Sequence, residues 1–314
     1  MIWKIGVLVM MGCMNPQHAM ALLRSGQYEA GWREFESRLD GRDDHVPYWD
    51  GSQIPGKTLL IRGEQGLGDV IQFARYVPVV VERSKARVLF RFDPLLSPML
   101  SRSTAAEFCT AGDIACDFQA FVMSLPHLLK LPEPADAPKP PYIFASDELR
   151  KQWAGKLSGF SGLKIGIVWQ GGKKYPGNER RSIPLRAFLP LMDIPGVTLF
   201  SLQKHDGLNQ LHKHCPPIIE VGARLDENEG AFVSTAAILS ELDLLISCDT
   251  AIVHLAGALN RPVWVALAYK ADWRWGMSGE TTPWYPSMRL FRQTVAGDWN
   301  GVFERIAIEL RRFV

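Results

Sequence analysis

The chain has 314 residues, and its 35 lysines and arginines against 33 aspartates and glutamates leave a net charge of +2. That length exceeds one ordinary core, so two domains are expected, and a charge so near balance gives no field with which to hold nucleic acid or an anionic membrane as principal partner. The five cysteines, Cys13, Cys109, Cys116, Cys215 and Cys248, are scattered without Cys-x-x-Cys spacing, which argues against a disulfide framework or a zinc site and fits a reducing cytoplasm.

No apolar run reaches the ~18 residues of a spanning helix. Behind Lys4 the run 5–14 resembles a short signal-peptide core, and Gly12-Cys13 resembles a lipoprotein cleavage site, but a sequence of cytoplasmic type follows directly. The run reads as a ragged first helix. The expected location is the cytoplasm, and peripheral attachment to the inner membrane is compatible with it.

Residues 1–45 are expected to form an N-terminal helical segment. Ala19, Leu22, Leu23, Tyr28, Ala30, Gly31, Trp32, Phe35 and Arg38 space two short helices that meet at Ser25-Gly26, in the manner of one tetratricopeptide-like repeat. No second copy occurs. A lone repeat cannot bury its own apolar face, so it must dock on the following domain or on another chain, and it is the surface to consider for a protein partner. Residues 40–56 read as a loop.

A Rossmann-like domain is assigned to residues 46–146. It opens with a strand at 58–62, the glycine-rich turn Gly63-Glu-Gln-Gly-Leu-Gly68, and a helix at 69–82 that carries Pro78. The spacing is GxxGxG and not GxGxxG, so it is a weak dinucleotide fingerprint. Further strands are expected at 87–92, 107–110, 119–123 and 142–145, and residues 132–141 form a proline-rich approach to the boundary.

The second domain, 147–314, starts with a helix at 147–157. Strands at 164–169, 197–203, 218–221, 244–247 and 263–267 alternate with helical stretches at 186–192, 207–214, 232–241 and 250–259, the pattern of a parallel doubly wound sheet. The final helix, 302–313, could cross back to the first domain. Residues 242–267 make the clearest βαβ unit. An apolar run ends at Cys248, Asp249 and Thr250 stop it, and Asn260 and Pro262 end the helix that follows. Where that strand meets the helix, free N–H groups and a positive dipole make a seat for a phosphate or diphosphate.

Six stretches together carry a resemblance. They are Gly63-Glu-Gln-Gly-Leu-Gly-Asp-Val-Ile-Gln-Phe-Ala-Arg-Tyr, Gly166-Ile-Val-Trp-Gln-Gly, Arg181-Ser-Ile-Pro-Leu, Ser201-Leu-Gln-Lys, Asp249-Thr-Ala-Ile-Val-His-Leu-Ala-Gly-Ala-Leu, and Asp272-Trp-Arg-Trp with Pro283-Trp-Tyr-Pro-Ser. The chain resembles the bacterial tetratricopeptide-linked glycosyltransferases, relatives of the ADP-heptose heptosyltransferases of glycosyltransferase family 9. The resemblance covers nearly everything after about His18. It implies a GT-B architecture of two Rossmann-like α/β domains, a nucleotide-sugar donor held mainly by the second, inverting transfer, and no required metal or other cofactor. The sequence contains no Asp-x-Asp pair of the kind that holds a cation on the diphosphate in transferases of the other fold.

Inverting transfer needs a base for the acceptor hydroxyl, charge stabilisation for the departing diphosphate and a pocket for an oxocarbenium-like sugar. Asp69, after Gly66 and Gly68 of the glycine turn, matches the family's base; it is equally well placed as a plain helix cap. Thr250 and, one turn on, His254 could surround a phosphate, with Asp249 in a positioning role; a half-buried core histidine is the alternative for His254. Arg181, and with it Lys173 and Lys174, could add positive charge from the polar loop 171–182, though such loops are often merely solvated. Gln203 and Lys204 are donor contacts by fold position. Trp273, Trp275, Trp284 and Tyr285 could stack on a ligand, with packing the reading for at least half of them. His205, His212, His214 and Cys215 lack metal-ligand spacing.

The expectation is therefore a glycosyltransferase whose partners are a nucleotide-sugar donor and a glycan, lipid-linked or protein acceptor. A transferase-like interaction protein and a sugar-nucleotide epimerase on the same fold are the rivals. The heptosyltransferase acceptor does not carry over, because Glu64-Gln65 and Gly66-Leu67 depart from that family around its Gly-Asp turn.

Overall fold

The computed structural model describes residues 16–42, 44–109, 114–173, 176–211 and 218–314. The apolar run 5–14, Cys13, Lys174, His212, His214 and Cys215 lie outside the described residues. Helices α1 (Pro16–Arg24) and α2 (Tyr28–Phe35) form a hairpin that turns through Gly26, whose φ of 82° suits glycine.

The first sheet contains β1 (Thr58–Arg62), then helices α3 (Leu67–Phe73) and α4 (Val77–Ser84), then β2 (Arg87–Arg91), β3 (Glu107–Phe108) and β4 (Phe118–Phe121). Its order is β3-β2-β1-β4 with every neighbour parallel. Leu59, Leu60 and Ile61 are buried in succession, as a strand covered on both faces requires. The single helix expected at 69–82 is instead two, separated by a 3-10 turn at Ala74–Tyr76. Pro78 sits in the first turn of α4, where its missing N–H is not needed. Residues 142–145 are not a strand: the N–H groups of Tyr142 and Ile143 donate to the Ala258 carbonyl, at 3.0 and 3.4 Å, and tie the crossover to the second domain.

After α5 (Asp147–Leu157), the second sheet is built from β5 (Leu163–Val168), β6 (Val197–Ser201), β7 (Ile218–Glu220), helix α6 (Val233–Glu241), β8 (Leu244–Cys248), helix α7 (Ala251–Ala258), β9 (Val263–Leu267) and β10 (Met288–Arg292), followed by α8 (Trp299–Leu310). The order is β10-β9-β8-β5-β6-β7, again all parallel. Strand β10 was not expected. Its arginines hide it: Arg289 pairs with Glu280 and Glu309, at 2.9 and 2.7 Å, so the charges of this edge strand are satisfied outside the sheet.

One continuous apolar core contains the hairpin, the first sheet and one face of the second. The other face of the second sheet has its own core, and α8 belongs there, with Phe303 4.2 Å from Phe188. The final helix thus stays with its own domain and does not cross back. The hairpin makes the crossing instead. Fully buried Trp32 meets Phe73 of the first domain edge-on at 5.5 Å and Trp273 of the second at 5.4 Å. Arg38 grips Glu64 with two bonds of 2.8 and 3.0 Å.

In each sheet the chain runs outward from a central strand and then returns to that strand's other side. The switch points lie between β1 and β4 and between β5 and β8, and ligands of such sheets bind beyond the carboxyl ends of those strands. Helices α3 and α7, which leave β1 and β8, pack against each other, so the two switch points share one cleft. This is the GT-B arrangement.

Candidate active site

The cleft encloses about 1050 Å³. The first domain lines it with Gly66, Leu67, Gly68 and Asp69; the second with Gln170, Gly171, Arg180, Arg181, Asp249, Thr250, His254, Lys270 and Arg274 among others; the hairpin with Gln17 and Arg24. Arg24 is fixed there by a 3.1 Å bond to the Ala271 carbonyl, so the hairpin is part of the wall.

At the first turn, Asp69 Oδ2 accepts the Gly66 N–H at 2.8 Å. This is one half of a capping box; Gly66 has no side chain to return the bond. Asp69 Oδ1 forms an ion pair with Arg274 of the second domain. Asp69 is therefore a cap and also a cleft residue, and each of its oxygens keeps a lone pair for another donor. Gly68 serves closeness between domains: a Cβ there would lie 3.0 Å from the His254 ring and 3.4 Å from Ala251 Cα. The glycine turn is spaced for protein contact.

The second turn is built differently. Thr250 is the N-cap residue of α7 in extended conformation, yet no side chain caps the helix, and the Thr250 hydroxyl is buried without a partner. Free N–H groups, a positive dipole and an orphan hydroxyl thus converge on the cleft. Arg181 joins them across 69 positions of sequence. A Cβ on Gly171 would come within 2.9 Å of the Arg181 guanidinium and 3.1 Å of Thr250 Cγ2, so glycine at 171 is what admits both. Beside Thr250, burial and then the charge of Asp272 push the Asp249 carboxyl up to about 6, against the pull of Trp275, Arg181 and Arg274. Cys248 beneath is buried with its thiol pushed up to about 12, which leaves it without thiolate for chemistry.

The other expected contacts have protein partners of their own, and of these His254, Gln203 and Lys204 line the cleft. His254 is buried, its Nδ1 is 3.1 Å from the Tyr285 hydroxyl and its ring stacks 5.5 Å from Trp275. Burial, then Arg274, Arg75 and Arg181, hold it well below the usual histidine range, so it lines the cleft as a neutral ring and brings no positive charge to a phosphate. Gln203 is a buried clasp: its Oε1 accepts from the N–H groups of Trp169 and Gln170, both at 3.0 Å, and its Nε2 donates to the carbonyls of Gln170 and Asp206. The Lys204 ammonium donates to the Leu225 carbonyl and pairs with the buried Asp226 at 3.3 Å, so its charge is already matched. Lys173 is outside the cleft lining, 71% exposed, with its ammonium 3.7 Å from Asp206. The four aromatics Trp273, Trp275, Trp284 and Tyr285 are all buried and pack as core. Among the described residues no three His, Cys, Asp or Glu side chains converge as metal ligands.

Arg274 is the residue the sequence reading passed over. It is buried, and Asp69, Asp272 and Asp249 outweigh the cost of its burial and hold the guanidinium charged. The signal was present. An arginine between two tryptophans that bury themselves as core is carried inward with them and has to meet carboxylates there.

Two parallel α/β domains with facing switch points, one turn with an uncapped helix start and the other presenting a carboxylate, define a GT-B body around one cleft. Comparison with known proteins narrows the class. No family model matches the chain. Protein FlbA of Caulobacter vibrioides is 29% identical over 330 residues, covering 94% of this chain and 54% of that protein, so the chain spans about half the length of the curated relative it matches. A glycosyltransferase family 9 structure from Veillonella parvula superimposes with a TM-score of 0.60 at 11% identity, covering 84% of this chain and 99% of that one. ADP-heptose lipopolysaccharide heptosyltransferase II of Escherichia coli gives 0.56 at 13%, covering 82% and 100%. The iron-containing dodecameric glycosyltransferase TibC of enterotoxigenic E. coli gives 0.51 at 13%, covering 80% and 66%. The chain has the heptosyltransferase-like fold of glycosyltransferase family 9.

Proposed function

We propose that the chain is an inverting glycosyltransferase that moves a sugar from a nucleoside diphosphate to a hydroxyl of a glycan, lipid-linked or protein acceptor. The observation that carries this reading is the uncapped start of α7, with the partnerless Thr250 hydroxyl and Arg181 beside it, set across one cleft from Asp69. A diphosphate seated there accepts the α7 N–H groups, the Thr250 hydroxyl and the Arg181 guanidinium. The sugar then lies toward the first domain.

As the acceptor oxygen bonds to the anomeric carbon, Asp69 takes its proton; the bond from that carbon to the phosphate oxygen breaks, and its electron pair leaves with the diphosphate. The helix dipole and Arg181 receive the charge that develops, the part a divalent cation plays elsewhere, so the transfer is proposed to need no metal. The ADP-heptose in the name of the E. coli neighbour makes ADP-sugars the first donors to try.

The test is the melting temperature with ADP, UDP, GDP, CDP and TDP in turn, each with and without EDTA. A ligand at about 100 times its Kd adds about 2.7 kcal/mol, which moves the midpoint by several degrees. A shift with one nucleotide that survives EDTA is expected. No shift with any nucleotide would count against the transferase and favour a transferase-like interaction protein.

A further inference from the structure

We propose that Arg274 is a positioning residue for the transfer: it reaches across the domain boundary and holds Asp69 in its reactive orientation. The inference rests on the reading of Asp69 as the base.

Arg274 reaches three acceptors at once. One terminal nitrogen pairs with Asp69, the other donates to Asp272 Oδ1 at 2.8 Å, and Nε donates to Gln72 Oε1 at 2.5 Å. The Trp273 ring lies 4.6 Å beneath the guanidinium, and Asp272 Oδ1 also accepts the Arg274 N–H at 3.1 Å. A planar fork held by three acceptors and an aromatic face has one orientation left. Asp69 inherits that order, since one oxygen is on the Gly66 N–H and the other on Arg274.

The partners divide between the domains. Asp69 and Gln72 come from α3; Asp272 and Trp273 come from the second domain. Stability alone gives little reason for this cluster, because a buried ion triad usually does no better than apolar side chains of the same volume. A carboxylate that must be aimed into a closed cleft gives a reason.

Hydrolysis of the donor tests this without knowledge of the acceptor. Water takes the acceptor's place, Asp69 takes its proton, and the products are free sugar and nucleoside diphosphate. ADP-, UDP-, GDP-, CDP- and TDP-linked hexoses are supplied separately, and kcat and KM are measured for the wild type, Arg274→Met, Arg274→Lys, Asp69→Asn and the double variant Asp69→Asn/Arg274→Met. Arg274→Met is expected to lower kcat about a hundredfold or more with KM held within about threefold, and Arg274→Lys, which keeps the charge should the methionine variant fail to fold, to recover about tenfold of that loss. The double variant should be no more than about threefold slower than Asp69→Asn, because the two residues act as a unit. Losses that multiply, or a raised KM with kcat kept, would overturn the positioning role while leaving Asp69 as base. Full activity of Asp69→Asn, or no hydrolysis of any donor by the wild type, would overturn the base reading and the positioning role together.

Discussion

The two strand-to-helix turns that face each other across the cleft share a local architecture and have opposite electrostatics. At the end of β1, the turn is rich in glycine and Asp69 of the following helix reaches back to the Gly66 N–H, with its second oxygen on Arg274. At the end of β8, the turn has no glycine, the helix is uncapped and the Thr250 hydroxyl is unpartnered. A helix start that a carboxylate already occupies has no use for a second anion, and one left open has every use for it. Glycine content therefore points to the wrong turn. In this chain Gly68 lets α3 approach α7, and the proposed diphosphate seat is the turn whose helix start has no side-chain cap.

That contrast can be broken at either turn. The largest effect is expected from Asp69→Asn, which should lower turnover about 10²- to 10⁴-fold, as loss of a general base does, while nucleoside diphosphate affinity stays within a few-fold; a titration alongside the rate measurement separates the two. Gly68→Val should act through packing, since its Cβ would press on His254 and Ala251, and is expected to destabilise the chain by about 1–3 kcal/mol in urea denaturation. Arg181→Ala should weaken nucleoside diphosphate binding by roughly 10- to 100-fold, the worth of a charged hydrogen bond, without moving the melting temperature comparably.

The smallest effect is one of pH. Asp249, raised to about 6 by burial and by Asp272, takes up a proton in the folded chain before it does so in the unfolded one. Between about pH 4 and 6 the folded state thus binds more protons, and this group's contribution to stability declines as pH rises through that window. Above it the ionised carboxylate stands beside the diphosphate seat. Affinity for the nucleotide should rise several-fold from pH 7.5 to 5.5 in the wild type relative to Asp249→Asn measured at each pH, a ratio in which the nucleotide's own ionisation cancels. A flat ratio would mean that Asp249 does not face the phosphates.

Much of this was legible in the sequence, and the reasons for the rest are physical. The strands at β1, β5, β8 and β9 announce themselves because burial on both faces demands continuous apolar runs. Strand β10 does not, because this edge strand carries two arginines whose partners lie outside it, Glu280 and Glu309 for Arg289 and backbone carbonyls of the 275–279 stretch for Arg292. Asp249, Thr250 and Arg181 come together as expected because fold position alone dictates where β8 and the 171–182 loop end. Side-chain roles set by distant partners were beyond reach: Lys204 is claimed by Asp226, His254 by Tyr285 thirty-one positions away, and Arg274 by Asp69 more than two hundred positions away. Gln203 occupies the predicted place and spends every bond on its own neighbours. The hairpin's docking was expected because a lone helical pair cannot bury its own apolar face, but its contact with both domains depends on Trp32, whose neighbours Phe73 and Trp273 belong to different domains.

The most direct test of the account is to give the open turn what the closed turn has. In Thr250→Asp a carboxylate occupies the N-cap of α7, a few residues earlier in the helix than Asp69 stands in α3. Calorimetric titration with the nucleoside diphosphate that most raises the wild-type melting temperature should then show affinity reduced by about a hundredfold or more, with the circular dichroism spectrum of the folded chain retained. Binding to Thr250→Asp as tight as to the wild type would contradict the account, and would place the diphosphate elsewhere in the cleft.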